Sequence, residues 1–400
     1  MRQSETQPVL ALQEETDMEY FYPDYYGQFE CIADRCEDTC CARWQIMIDE
    51  KSMKKYKKYK GEYRRQLLEN IDKKEKCFTQ KDNRRCAFLN DDNLCEMYIN
   101  AGKDMLCKTC RRYPRHFEEF ENYRVVNLSM SCPEVARIIL GRKSKVKFKY
   151  MTTSHDEKPY DYFDFLLFTK LQQMQEFMIN TLQDRTLDLK LRIGLVLGCA
   201  HDIQKRIDSD QLFEIDSLLE KYSKETFRKK AIDTLKNMRK NTTKTDIFKN
   251  RARIFMNLHR LEILNSHWAE YMTLCEEIIF SNGIDFYHDA MNDFEDKYKD
   301  RMVEFEQILI YFISTYFLGA VYDGRMYDKV VFAVASMMFI EDMDMATFIM
   351  NEGELTFNNQ VDIVHRYSRE LEHSDPNVEL LEEMIAKQEE YRAENMITSI

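Results

Sequence analysis

Ten of the chain's twelve cysteines stand between residues 31 and 132, at Cys31, Cys36, Cys40, Cys41, Cys77, Cys86, Cys95, Cys107, Cys110 and Cys132. Thiolates are soft ligands for zinc and for iron–sulfur clusters, and closely spaced pairs place two sulfurs on one centre without a long loop. Cys107 and Cys110 have that spacing, with Lys108 and Thr109 between them. Cys36, Cys40 and Cys41 put three thiols into six residues, and Cys31 lies just upstream. Cys86 and Cys95 flank AFLNDDNL, a turn-bearing stretch suited to returning a second ligand to the same place. One tetrahedral zinc or one cubane cluster takes about four thiolates. The window therefore holds either two centres or one centre with further cysteines in structural or redox roles. Disulfides explain the pattern less well. The opening MRQSETQPVLALQEETDMEY has no apolar stretch of signal-peptide length and is acidic where a basic flank belongs, so a cytoplasmic location with reduced thiols is expected.

Cys132 sits in SCPE, a helix-start signature with Ser131 as cap, Pro133 in the first turn and Glu134 completing a capping box. A thiol at that helix end is expected to ionise readily. Cys199 and Cys275 stand alone on apolar helical segments and read as small buried side chains. Near the C-terminus, Tyr367, Arg369, Glu370 and His373 are grouped so that Arg369 and His373 share a helix face. Two readings fit: a surface ion-pair array ending a helix, or a site in which Arg369 holds a cofactor carboxylate while Tyr367 or His373 handles a proton.

Ten glycines and six prolines in 400 residues favour long helices over a strand-and-turn architecture. A chain of this length can bury a sizeable core, so metal is not needed merely to rescue a small fold. The net charge of −12 argues against a nucleic-acid partner, and the Lys-rich KSMKKYKKYK at 51–60 reads as a solvated helix face. The longest uncharged run, QILIYFISTYFLGAVY at 307–322, is too short and too polar to span a membrane and reads as a buried helix. No two glycines are separated by a single residue, which excludes a Rossmann dinucleotide fingerprint.

These features predict a mostly α protein: a polar tail at 1–17, a cysteine-cluster metal-binding region with short strands at 18–145, and a multi-helix domain at 146–400. Within the second part, 18–27 is aromatic and turn-rich, 49–70 reads as a charged helix and 123–128 as a strand. Helical spacing recurs at 187–206, 224–238, 245–280, 294–322, 329–343 and 357–373.

CIADRCEDTCC at 31–41 followed by Trp44 resembles the signature of the flagellin lysine-N-methylase family, within a broader group of zinc- or iron-chelating cysteine-cluster proteins. The likeness continues through Cys86-Ala-Phe-Leu with Cys95, LCKTCR at 106–111, YPR at 113–115, SCPE at 131–134, YFLGAVYD at 316–323 and YSRELEHS at 367–374. Arg43, Asn93 and Cys77 depart from the pattern, which makes Cys77 the weakest ligand candidate. The resemblance implies transfer of methyl groups from S-adenosylmethionine to lysines of flagellin. It also implies a metal centre, a [4Fe–4S] cluster with zinc as the alternative, drawn from Cys31, Cys36, Cys40, Cys41, Cys86, Cys95, Cys107, Cys110 and Cys132. Arg111, Arg115 and Glu134 read as partners of those cysteines. The competing reading is a nonenzymatic metal-stabilised binding module or electron carrier.

Overall fold

The computed structural model describes residues 16–82, 84–155 and 163–400. Residues 1–15 of the expected polar tail lie outside them. Strand β1 (Thr16–Pro23) draws the aromatic segment into a sheet, with the turn confined to the residues after Pro23. The 49–70 stretch is divided into α1 (Glu50–Lys58) and α2 (Arg64–Glu69). Next come the two-residue strands β2 (Ile71–Asp72) and β3 (Cys77–Phe78), then the short helices α3 (Glu96–Ala101) and α4 (Lys108–Arg112). Strands β4 (Arg115–Phe120) and β5 (Tyr123–Leu128) form a hairpin that leads into α5 (Pro133–Leu140), and β6 (Phe148–His155) closes the sheet.

The sheet order is β4-β5-β1-β6. β1 runs parallel to β5, with Tyr20 opposite Arg124, and antiparallel to β6, with Tyr20 opposite Met151. The sheet thus joins residues on both sides of the expected 145/146 boundary. Cys132, between β5 and α5, is placed by that central pairing.

The remaining helices are α6 (Phe165–Leu182), α7 (Leu189–Asp208), α8 (Ile215–Ser223), α9 (Glu225–Asn241), α10 (Lys244–Met256), α11 (Ser266–Phe280) and α12 (Ile284–Tyr298). They continue through α13 (Val303–Tyr316), α14 (Met326–Met350), α15 (Phe357–Glu372), α16 (Asp375–Lys387) and α17 (Ala393–Ser399). α14 is apolar on every side, and such a helix is stable only when surrounded. It packs against α7, α10, α11, α12, α13, α15 and α16. Two of its buried carboxylates share one partner: Arg251 of α10 reaches Asp342 at 2.6 Å and Glu341 at 3.0 Å, with Arg251 only 1% exposed. The uncharged run at 307–322 is largely buried in α13 and the turn after it, with Tyr322 exposed at its end, and no described helix is long and apolar enough to cross a membrane.

Two apolar cores result. The large one extends from Phe21 to Ile400 and includes the sheet, α5 and the helical region. The small one, built from residues 46–107, contains Tyr56, Leu67, Phe78, Phe88 and Met97.

Candidate metal centre

The loop bearing Cys36, Cys40 and Cys41 is fastened to α15 through Asp38. The Asp38 carboxylate is buried, with Arg369 at 2.7 Å from one oxygen and Arg43 at 2.6 Å from the other. Arg369 also donates to the backbone carbonyls of Asp38 at 3.2 Å and Thr39 at 3.4 Å. Burial is costly for a carboxylate unless it is paired in this way. The two departures noted at Arg43 and Asn93 both fall in left-handed backbone, at φ 73° and 58°. Asn tolerates that conformation, whereas for Arg it costs about 1 kcal/mol, offset here by the ion pair with Asp38.

The nine candidate thiols fall into two neighbourhoods. The charges of Cys36 and Cys31 oppose ionisation of Cys132, and that of Cys132 opposes ionisation of Cys40. Glu37 pairs with Arg137 of α5, which holds this loop over the start of the helix. In the second neighbourhood Cys41 and Cys86 are central. The Cys86 N–H donates to the Cys41 carbonyl at 2.7 Å, and each of the two thiols is close enough to influence Cys95 or Cys110 electrostatically. Cys107 Sγ accepts from the Cys110 N–H at 3.5 Å. Cys40 and Cys41 are adjacent in the chain, so the two neighbourhoods touch at that dipeptide. Cys77 feels only Asp72 and Glu75 and no other thiol, while Cys199 and Cys275 are buried apart.

Burial pushes the Cys132 thiol up to about 11 and Cys86 up to about 12. This corrects the reading of Cys132 as readily ionised. The N–H groups of Val135 and Glu134 do reach the sulfur, but loss of solvent outweighs them. Ser131 does not cap the helix either: Cys132 occupies the cap position without a side-chain bond, and Ser131 Oγ meets Tyr113, Ser129 and His373 instead. Within the coupled pairs, hydrogen bonding lowers Cys41 and Cys107 while raising Cys40 and Cys110. Crowded, buried thiols that oppose one another's ionisation suit a cation, which favours the thiolate. Among the described residues no three Cys, His, Asp or Glu side chains converge on one point as ligands of a single ion would. A cluster in which each thiolate takes a different iron asks for a wider spread than one tetrahedral zinc.

The 367–373 group is not a surface array. Tyr367, Arg369 and Glu370 are 1%, 4% and 5% exposed. Tyr367 donates to Ser336 Oγ at 2.9 Å inside the large core. The His373 ring stacks on Trp44, with centroids 4.5 Å apart, and burial followed by the Arg369 charge holds it down to about 3, too weak a base to take a proton at neutral pH. Burial instead lifts Glu370 to about 7. Its carboxylate accepts from the Leu264 N–H at 2.7 Å and lines, with Trp268 and Tyr367, a crevice of about 10 Å³, room for one water. A separate groove of about 520 Å³, in the size range of cofactor sites, is lined by Phe177, Asn180, Asp184, Leu219 and Arg228 of the α6, α8 and α9 region. Of the expected cysteine partners, Glu134 pairs with Arg137 at 3.3 Å, and Arg115 lies over the Tyr26 and Phe29 rings. Asp38 and the stack on Trp44 were not singled out by sequence as site features, since neither has a spacing signal that points across some 330 residues to α15.

The chain is 28% identical to the Lysine-N-methylase of Salmonella typhimurium over 131 residues, covering 30% of this chain and 32% of that protein. It is 30% identical to the Flagellar biosynthetic protein FliU of Salmonella muenchen over 132 residues, 30% of this chain and 75% of FliU. The match thus spans about a third of the length of the named methylase. No solved structure matches. Residues 175–398, from α6 through α15 to α17, match the family described as the FliB lysine N-methylase C-terminal domain. That match covers more than half of the chain, and the protein belongs to the FliB lysine N-methylase family.

Proposed function

We propose that the protein is an S-adenosylmethionine-dependent lysine N-methyltransferase acting on flagellin in the cytoplasm, with an iron–sulfur cluster held by its cysteine region. The observation that carries this reading is the family match over 175–398, the region whose α15 grips the cysteine loop through Arg369 and Asp38. The names Lysine-N-methylase and FliU among the relatives support the reaction and the flagellar substrate.

Methyl transfer needs a neutral lysine amine aligned with the sulfonium methyl in a place that excludes water. Of the polar residues at 367–373, Glu370 has the proton affinity that suits exchange near neutral pH, whereas His373 is too weak a base and serves to pack Trp44. Arg369 is engaged by Asp38, so its role is to position the cysteine loop rather than to hold a cofactor carboxylate. The thiolates would supply soft ligands to such a cluster, with Cys86, Cys107 and Cys132 buried and Cys31 exposed.

Calorimetry with S-adenosylmethionine and anaerobically prepared, metal-replete protein tests the proposal. Saturable binding near one donor per chain is expected. Absence of binding at millimolar donor would overturn the methyltransferase reading in favour of a nonenzymatic metal-stabilised module.

A further inference from the structure

We propose that the Glu372 carboxylate, at the end of α15, is the docking point for a primary ammonium group: the side-chain amine of the lysine that receives the methyl group. The assignment rests on the lysine substrate of the proposed function and says where its amine is held.

One oxygen of Glu372 is fully engaged. Its Oε2 accepts from Tyr311 Oη at 2.5 Å and from Ser129 Oγ at 3.0 Å. Ser129 is linked to Ser131 at 2.6 Å, and Ser131 to Tyr113 Oη and His373 Nε2, each at 3.1 Å. Because Ser129 gives its proton to the carboxylate, Ser131 donates to Ser129 and accepts from Tyr113 and His373. His373 Nδ1 is buried without a partner, which fits a ring protonated at Nε2. The array of donors thus converges on one carboxylate. Yet its other oxygen, Oε1, is buried and has no hydrogen-bond partner, and among the described residues no Lys or Arg pairs with Glu372. His116 feels the Glu372 charge but is bonded to Glu118 at 2.6 Å.

A shielded carboxylate oxygen without a partner is costly, and a ligand that brings positive charge and N–H donors removes the cost. A divalent metal is the poorer occupant, since among the described residues no three His, Cys, Asp or Glu side chains converge there. A lysine amine carries three donors on a thin apolar stem. The surroundings suit both parts. Burial, then the Glu372 charge, push the Tyr316 phenol well above its ordinary value, which puts that ring beside the carboxylate, and the His116 ring lies 5.8 Å from it. Aromatic faces attract a cation and pack an alkyl stem. His116 and Glu118 stand on the edge strand β4 with side chains 29% and 40% exposed, so this side of the group meets solvent. Glu370, by contrast, faces a crevice with room for one water, too small for a lysine side chain.

The test uses N-acetyl-lysine methylamide as probe, followed by saturation-transfer nuclear magnetic resonance on the full chain, together with flagellin methylation kinetics. The unaltered chain is expected to bind the probe. Glu372→Gln, which keeps an acceptor for Tyr311 and removes the charge, should weaken probe binding and raise KM for flagellin, each about tenfold, with S-adenosylmethionine binding unchanged. Equal probe affinity and equal KM in the variant, or no probe binding to the unaltered chain, would overturn the assignment while leaving methyl transfer to be judged by its own assay. Probe binding that depends on Glu372 in a chain that transfers no methyl group would support the amine site and count against the proposed function. Should the Gln variant fail to fold, Tyr316→Leu decides: loss of the ring beside the carboxylate is expected to weaken the probe, and unchanged affinity would overturn the site.

Discussion

The two cores are built on different principles. The large one is made of long helices around α14, and its stability comes from apolar burial with internally paired charges such as Arg251 with Asp342. The small one is made of two-residue strands and short helices, with left-handed backbone at Lys76, Arg84 and Asn93. On the proposed reading, metal ligation would add folding free energy to these short elements. Cys86 and Cys107 belong to the small core and Cys41, Cys95 and Cys110 pack against it, whereas Cys132 belongs to the large one.

If the cysteine region holds metal as proposed, removing it gives the largest expected effect. A chelator strong enough to strip the centre should open residues 46–107, read as loss of amide-exchange protection there, while protection persists in α7, α13 and α14. Equal protection in both regions before and after chelation would break the comparison.

Next in size is Arg251→Ala, which leaves Asp342 and Glu341 buried without their partner. A loss of about 3–5 kcal/mol in denaturant unfolding is expected. Metal content of the folded fraction should be unchanged, since this site belongs to the large core alone.

Glu370 supplies a pH-dependent effect of up to about 3 kcal/mol, from a folded value near 7 against an ordinary value of 4.5. As pH rises from about 4.5 to 7 the unfolded chain releases this proton first, so the folded state loses stability across that window and then levels off. Glu370→Gln should flatten this part of the profile. An unchanged slope in the variant would mean that other groups carry it.

Arg369→Ala has the smallest expected cost, about 2 kcal/mol, because Arg43 still pairs with Asp38. The loop bearing Cys36 and Cys40 should loosen, lowering metal content. A variant with full metal occupancy and unaltered stability would show that the clamp does not join the two regions.

Much of the large region was legible in the sequence because helical periodicity is local. β5 and the buried 307–322 run read directly, and the 245–280 stretch read as helical although it is divided by the turn at residues 257–265. β1 was hidden because its aromatic residues also fit a turn, and its partners β5 and β6 lie more than a hundred residues away. The helix start at Cys132 was legible, but the thiol's acidity was not, since burial depends on α13 and α15 packing over α5. Nothing local marks Asp38 as the partner of Arg369. The charged appearance of 367–373 suggested a surface, whereas tertiary packing turned Arg369 and Glu370 inward.

Intact-mass and peptide mass spectrometry of flagellin tests the proposed methyl transfer to lysine. Unmodified flagellin incubated with S-adenosylmethionine and metal-replete protein is expected to gain methyl increments on lysine ε-amines, at a rate that rises with pH as the neutral amine becomes more abundant. Flagellin whose mass is unchanged, with protein that holds its metal and binds the donor, would contradict the claim.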